Sequence, residues 1–399
     1  MPVPHLGDGP AVPALLRELN ERVVLDAVWE HQPVHRAELA RITGLSKPTV
    51  SLSLESLTLA GLVEEIAKDQ NRSGRAASWF APIVDAGYVL GLDIGSQFIR
   101  GQLENLAGET LSHVDLALKR TPVKGILSTV DNAIGYLLKN GNVPRERITT
   151  TVVGVPGIIS PIDGEITEAG SLSTIEDVGF TSQLSDHIGF AVTVDNDVNL
   201  MALGERARGL GQGVDNFAIV SVGSGIGAGL VLGGKLHRGA HGGAGEVHLT
   251  PFHLLAKDAS LFDPASDGLQ TSAARIARKR PGTSLKAPYD PVQVFAAARN
   301  GDLAALEVVG AEARAIALYL LTIAAVVDVE LVILAGGIGT NEDLLLAPIR
   351  ELLAEHHPIP PRVETSSLGR GAVLAGAIAV AQERARDLLF TTRLVQNRS

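Results

Sequence analysis

The sequence predicts an α/β protein in two parts: a small helical head carrying a β wing, then a larger two-lobed body of mixed sheets flanked by helices. Three observations point to it. Residues 15–57 hold three helical patterns, punctuated by Pro33 and Gly44. A strand–glycine turn–strand unit at 88–104 recurs at 218–236. Glycine turns at Gly95, Gly223 and Gly336 close apolar strand-like runs, and strand ends are where open α/β sheets place their ligands.

Composition sets the limits. A chain of 399 residues predicts two or three domains. Hydrophobic residues make up 45% and aromatics only 4%, so the cores must be built from Leu, Val, Ile and Ala. Cysteine is absent, which excludes disulfides, thiolate zinc ligands and cysteine nucleophiles. The net charge of −10 argues against diffuse binding to nucleic acid or a membrane. Any DNA contact must come from a local patch. Residues 1–13 have no cationic stretch leading into an apolar one, so no signal peptide is expected and a cytoplasmic location is. The most apolar window, 316–334, is broken by Asp328 and Glu330. It reads as a buried helix running into a strand, not as a membrane span.

The head is expected over residues 13–81. Its first helix, 15–29, offers Leu16, Leu19, Val23, Val24 and Leu25 as an apolar face. Pro33 ends that pattern, and residues 36–42 form a short second helix. Gly44 then sits in the turn between two crossed helices. Ser46 caps a third helix, with Pro48 in its first turn where a missing N–H does no harm. Val50, Leu54 and Leu57 make its buried stripe, leaving Lys47, Thr49, Ser51 and Ser53 facing outward. A strand beginning near 61–63, a polar turn at 71–75 and a second strand at 77–80 complete a winged helix-turn-helix. The alternative is a small helical module for binding protein. Residues 13–80 hold eight Lys/Arg against nine Asp/Glu, so phosphate contact must be focused on Arg36, Lys47, Arg72 and Arg75. Base reading falls to the start of the third helix, capped by Ser46, with Lys47, Thr49 and Ser51.

The body is expected over residues 86–399, after a short linker at 82–87. Carboxylates at strand ends beside glycine turns suit a sugar or phosphate pocket: carboxylates accept hydrogen bonds from hydroxyls, and glycines let backbone N–H groups approach an anion. Asn196 and Asp197 follow the apolar run 191–194, and the glycine cluster 242–245 ends on Glu246. The plainer reading of Asn196 and Asp197 is a cap joining a strand to a helix.

Residues 19–65 resemble the DNA-binding domain of ROK-family regulators (repressor, open reading frame, kinase), and the likeness runs through nearly the whole chain. It rests on an ordered series: DIG at 93–95, GVPGII at 154–159, NDVN at 196–199, GSGIGAG at 223–229, AGE at 244–246, GGIG at 336–339 and SLGRGAVLAGA at 367–377. The resemblance implies the two-lobed ATPase fold shared by actin and hexokinase. It implies a sugar site at Ser171, Asn196, Asp197, Glu246 and His248, with Asp197 as the counterpart of the kinases' catalytic base. Asp93, Gly95, Gly223, Gly225, Gly336 and Gly337 match nucleotide-binding positions.

The departures from the family pattern shape the functional expectation. His35 replaces the serine that commonly caps the second helix, and Leu52 a basic residue on the third. Ser96-Gln97 replaces the Gly-Thr pair that wraps ATP phosphates, a longer side chain where phosphates need room. The run Gly245-Glu246-Val247-His248 is one residue shorter than the family's zinc-binding pattern, and the cysteine ligands are missing, so no metal is expected. Ser171 stands where an asparagine touches the sugar. The expectation is a transcription regulator with a sensing, catalytically silent body and no cofactor. Its partners would be operator DNA, a sugar or sugar phosphate, and a second copy in a homodimer or homotetramer, with no membrane. A working sugar kinase with a DNA-binding head and a ligand-independent DNA-binding protein are the alternatives.

Overall fold

The computed structural model describes residues 11–66, 78–119, 122–176, 178–223, 225–250 and 268–396. The head packs α1 (Ala11–His31), α2 (Arg36–Thr43) and α3 (Lys47–Leu59) against a small sheet. Gly44 ends α2 in the left-handed conformation, and Ser46 Oγ accepts from the Thr49 N–H at the start of α3. His35 replaces a serine without losing its job: its Nδ1 accepts from the Glu38 N–H at 3.0 Å and so caps α2.

Three expectations for the head need correction. Its sheet has three strands, not two, because β1 (Val34–His35) joins β2 (Val63–Ile66) and β3 (Trp79–Pro82) in the order β1-β3-β2. Leu16, Leu19 and Val23 are exposed, while Val24, Leu25, Ala27 and Val28 are buried. Only the C-terminal half of α1 reaches the core. Ser53 is buried rather than outward, because Val50, Ser53, Leu54 and Leu57 share one face at helical spacing.

The body holds two five-stranded sheets. The first uses β4 (Tyr88–Ile94), β5 (Phe98–Asn105), β6 (Thr110–Ala117), β7 (Ile148–Val155) and β10 (Val192–Asn196), in the order β10-β7-β4-β5-β6. Strands β8 (Ile158–Ile159) and β9 (Ile166–Thr167) make a small hairpin beside it. The second sheet uses β11 (Phe217–Val222), β12 (Ile226–Leu232), β13 (Lys235–His237), β14 (Leu331–Ala335) and β15 (Arg362–Thr365), in the order β13-β12-β11-β14-β15. In each, the opening strand forms an antiparallel meander on one side and a parallel pair on the other. The repeated strand–turn–strand pattern is therefore one plan used twice.

Helices α4 (Val123–Gly141) and α5 (Phe180–Ile188) flank the first lobe. The second carries α7 (Leu269–Lys279), α8 (Pro291–Arg299), α9 (Leu303–Val327), the single turn α10 (Gly336–Gly339) and α11 (Glu342–His356). Helix α9 has the length and apolarity to cross a membrane, yet Ala305, Val308, Ala313 and Leu320 are fully buried in the lobe's core.

Two further helices join the parts. Helix α6 (Asp197–Arg208) crosses α12 (Ala372–Gln396) at glycines. A Cβ on Gly376 would lie 1.8 Å from the Leu200 carbonyl oxygen, and one on Gly204 would lie 2.3 Å from that of Ala372. The buried Glu104 carboxylate accepts from Arg208 at 2.9 and 2.8 Å and from Gln382 at 3.1 Å, tying β5, α6 and α12 together. Farther along, α12 enters the head's core through Leu389, Phe390 and Leu394. The Arg386 guanidinium lies 4.1 Å from the Trp29 ring centroid, and Arg22 pairs with Asp387 at 2.6 Å. Arg393 donates to the carbonyls of Gly61 and Ala86. Head and body share one apolar cluster.

Candidate functional site

Strand register builds the first wall of the site. Gly154 of β7 lies between Asp93 of β4 and Asp195 of β10. The chain passes from β10 into α6 at Asn196, whose side chain caps the helix: Oδ1 accepts from the Asn199 N–H at 2.9 Å, and Nδ2 donates to the Gly157 carbonyl at 2.9 Å. Asp197 follows at the first turn, with Oδ1 accepting from the Val198 N–H at 2.8 Å. Beside it runs the second lobe's β11–β12 turn.

Between the lobes is a cavity of about 580 Å³. Gly157, Glu168 and Ser171 of the first lobe line it, with Asn196 and Asp197 at the junction and Gly223, Gly225, Glu246 and His248 of the second lobe. The expected sugar residues therefore share one space. Asn196 nonetheless spends its amide on capping, so the plain reading of that residue accounts for its side chain. His248 Nδ1 lies 3.1 Å from Glu246 Oε2.

The expected nucleotide residues divide. Gly223 and Gly225 line the cavity, whereas Asp93, Gly95, Gly336 and Gly337 do not. Gly336 is required by packing: its φ is +82°, and a Cβ there would sit 2.3 Å from the Val222 carbonyl oxygen. Gly95 faces the Phe98 ring, 2.5 Å from where its Cβ would be. Gln97 is exposed, and its carbonyl accepts from the Leu118 N–H. Ser224 lies outside the described residues.

The site is acidic and partly dry. Burial pushes Asp93 up to about 7; the nearby Asp197 adds to the rise and Arg100, 3.4 Å away, opposes it. Burial likewise raises Asp197 to about 6, against the Val198 hydrogen bond and with help from Glu246. Glu246 is itself raised by burial. Among the described residues no group of three His, Cys, Asp or Glu side chains is placed to hold a metal.

A pH prediction follows. A carboxyl raised on folding stabilises the native state below its unfolded pKa, and that stability is lost as pH rises through the folded value. For Asp93 the window runs from 3.8 to about 7, a gap of roughly 4 kcal/mol at most. Urea unfolding at pH 5 and pH 7.5 should show Asp93→Asn losing less stability across that interval than the unaltered chain. Parallel losses would rule out the assignment.

Sequence reading missed Glu168 and Glu312 on the cavity wall. Glu168 lies in a loop and has a positive φ of 54°, which sequence does not signal. Glu312 shares the apolar run of α9 with Glu307 and Arg314, so nothing in the sequence singled it out.

At the head, Arg36, Ser46 and Lys47 are exposed, and Thr49 and Ser51 are half-buried on the first turns of α3. The Arg36 guanidinium lies 5.0 Å from the Phe80 ring centroid. Leu52 is 64% exposed on the same helix. Arg72 and Arg75 lie outside the described residues.

Comparison with known proteins matches the ROK family model to residues 89–384. The xylose repressor of Caldicellulosiruptor bescii is 26% identical over 388 residues, 92% of this chain and 96% of that protein. A glucokinase of Halalkalibacterium halodurans is 27% identical over 329 residues, 76% of this chain and 98% of its own. The chain spans only 60–61% of the length of several other xylose-repressor relatives that it matches. Among solved structures, a ROK-family transcriptional regulator homologous to the E. coli MLC protein superposes with a TM-score of 0.76 at 20% identity, covering 96% of this chain and 99% of that one. That likeness fixes the architecture: a two-lobed body of the actin/hexokinase type behind a winged helix-turn-helix. The chain belongs to the ROK family.

Proposed function

We propose that the chain is a DNA-binding transcription regulator, a repressor by the names of its relatives, whose body senses a sugar and transfers no phosphate. One observation carries the reading: α12 packs on α6, which starts at the cavity, and also enters the core of the head. A ligand that shifts the lobes must then move the head or strain that joint. Coupling requires only that the sugar bind one lobe arrangement better than the other. Paired half-sites call for a homodimer at least, acting in the cytoplasm where operator DNA lies. No metal or nucleotide is required.

Gel-shift or anisotropy titration against genomic operator fragments tests the reading, with and without a panel of pentoses, hexoses and N-acetylhexosamines. Sugar should change operator affinity by about 10-fold or more, in the usual range of allosteric coupling. Lys47→Ala should weaken operator binding and reduce the salt slope by about 1. Absence of DNA binding by the unaltered chain would defeat the proposal.

A second reading has support of its own. Asp197 keeps its place beside the glycine turn at Gly223 and Gly225, and a glucokinase is among the relatives. ATP turnover with the same sugars separates the two readings.

A further inference from the structure

The cavity is larger than one sugar ring requires. At about 580 Å³ it falls within the roughly 300–1,000 Å³ of sites that enclose drug-sized molecules. Asp197, Glu246 and His248 gather in one part. Another wall comes from α9, where Glu312, Ala315, Ile316 and Tyr319 line the space at the i, i+3, i+4, i+7 spacing of one helix face. The same space is lined by the glycine turn at Gly223 and Gly225, which resembles one of the family's phosphate turns.

The charge there is wrong for a phosphate. The acidic residues on the wall are Glu168, Asp197, Glu246 and Glu312, and no Lys or Arg is among the described lining residues. A phosphoryl group would lose its hydration without gaining a cation, which is costly in a dry site. Glu312 has no hydrogen bond or ion pair among the described residues, and burial alone pushes it up to about 7. A largely buried carboxyl with no partner among the described residues is costly unless something bonds it. Sugar hydroxyls can: they donate to a carboxylate and accept from a carboxylic acid.

We infer that the pocket holds two sugar rings, one at Asp197 and Glu246 and a second, unphosphorylated ring read by Glu312 against the α9 wall. This deepens the sugar-sensing reading and rests on it. The selective effector is then a neutral disaccharide rather than a sugar phosphate. Glu312 is its specificity determinant, because a site built around a buried polar group discriminates against ligands that leave it unpaired.

Calorimetry on the full chain at pH 7 tests this with matched probes: xylose and xylobiose, glucose with maltose and cellobiose, N-acetylglucosamine and its β-linked disaccharide, plus glucose 6-phosphate and AMP-PNP. At least one disaccharide should bind 10-fold or more tightly than its own monosaccharide. Glu312→Gln, which keeps the shape, should erase that advantage while leaving the monosaccharide within twofold. Glucose 6-phosphate and AMP-PNP should not compete. The inference is overturned if disaccharides bind no better than monosaccharides, if Glu312→Gln affects both sizes equally or neither, or if a phosphorylated probe binds more tightly than its parent sugar. Monosaccharide binding alone sinks this inference and spares the sensor reading; binding of no sugar at all sinks both.

Discussion

Gly376→Val should lower the unfolding free energy by about 3 kcal/mol or more, the upper range for overpacking a tight contact. The clash is with backbone, not with a flexible side chain: the first added carbon would lie 1.8 Å from the Leu200 carbonyl oxygen. Side-chain rearrangement cannot relieve it, so α6 and α12 must separate. Separation would also disturb the Glu104–Arg208–Gln382 hydrogen bonds. Urea titration followed by circular dichroism measures the loss. Gly371→Val, on the turn just before α12, is the control: a Cβ there meets nothing within 4 Å, so its cost should stay well below that of Gly376→Val. Equal stabilities for the two variants would contradict the close crossing.

Asp197→Ala should cost about 100-fold in sugar affinity, since hydrogen bonds to a charged group are worth about 1.5–3 kcal/mol. Operator affinity without sugar should remain within twofold, because Asp197 lines the cavity and belongs to no part of the head. The variant would then need about 100-fold more sugar for the same change in operator occupancy. Asn196→Ala should behave differently. Its side chain caps α6 and holds the Gly157 carbonyl, so stability should fall by about 1 kcal/mol, the usual worth of an N-cap. Calorimetry together with thermal melts separates the two residues. Undiminished sugar binding by Asp197→Ala would remove that residue from the site.

Much of the architecture was legible because local chemistry and tertiary packing agree. Ser46, Pro48 and Gly44 mark the ends of α2 and α3 by backbone requirements that hold in any fold. The stripe Val50, Leu54 and Leu57 needs only a helix with one buried side. Position along α1 was harder: Leu16 and Val24 look alike in sequence, and only packing against α2, α3 and β3 decides which is covered. The strand β1 is two residues long, too short for a period-2 pattern. At the site, Asp197 and Glu246 stood out because they follow a strand and a glycine cluster. Gly336 reads in sequence as a nucleotide-turn glycine, and the structure adds a packing requirement, a close approach to the Val222 carbonyl. Glu312 is 115 residues from Asp197 in the chain, and only the folding of both lobes brings them to one cavity.

Because α12 ends inside the head, the reader of DNA is not a cassette that can be cut out at the linker. A chimera that exchanges residues 11–82 for another head would strip Leu389, Phe390 and Leu394 of their covering and leave Arg386 and Arg393 without Trp29 and the Gly61 carbonyl. Transplanting operator specificity between relatives therefore calls for moving the last turns of the chain together with its first eighty residues, as a single discontinuous graft.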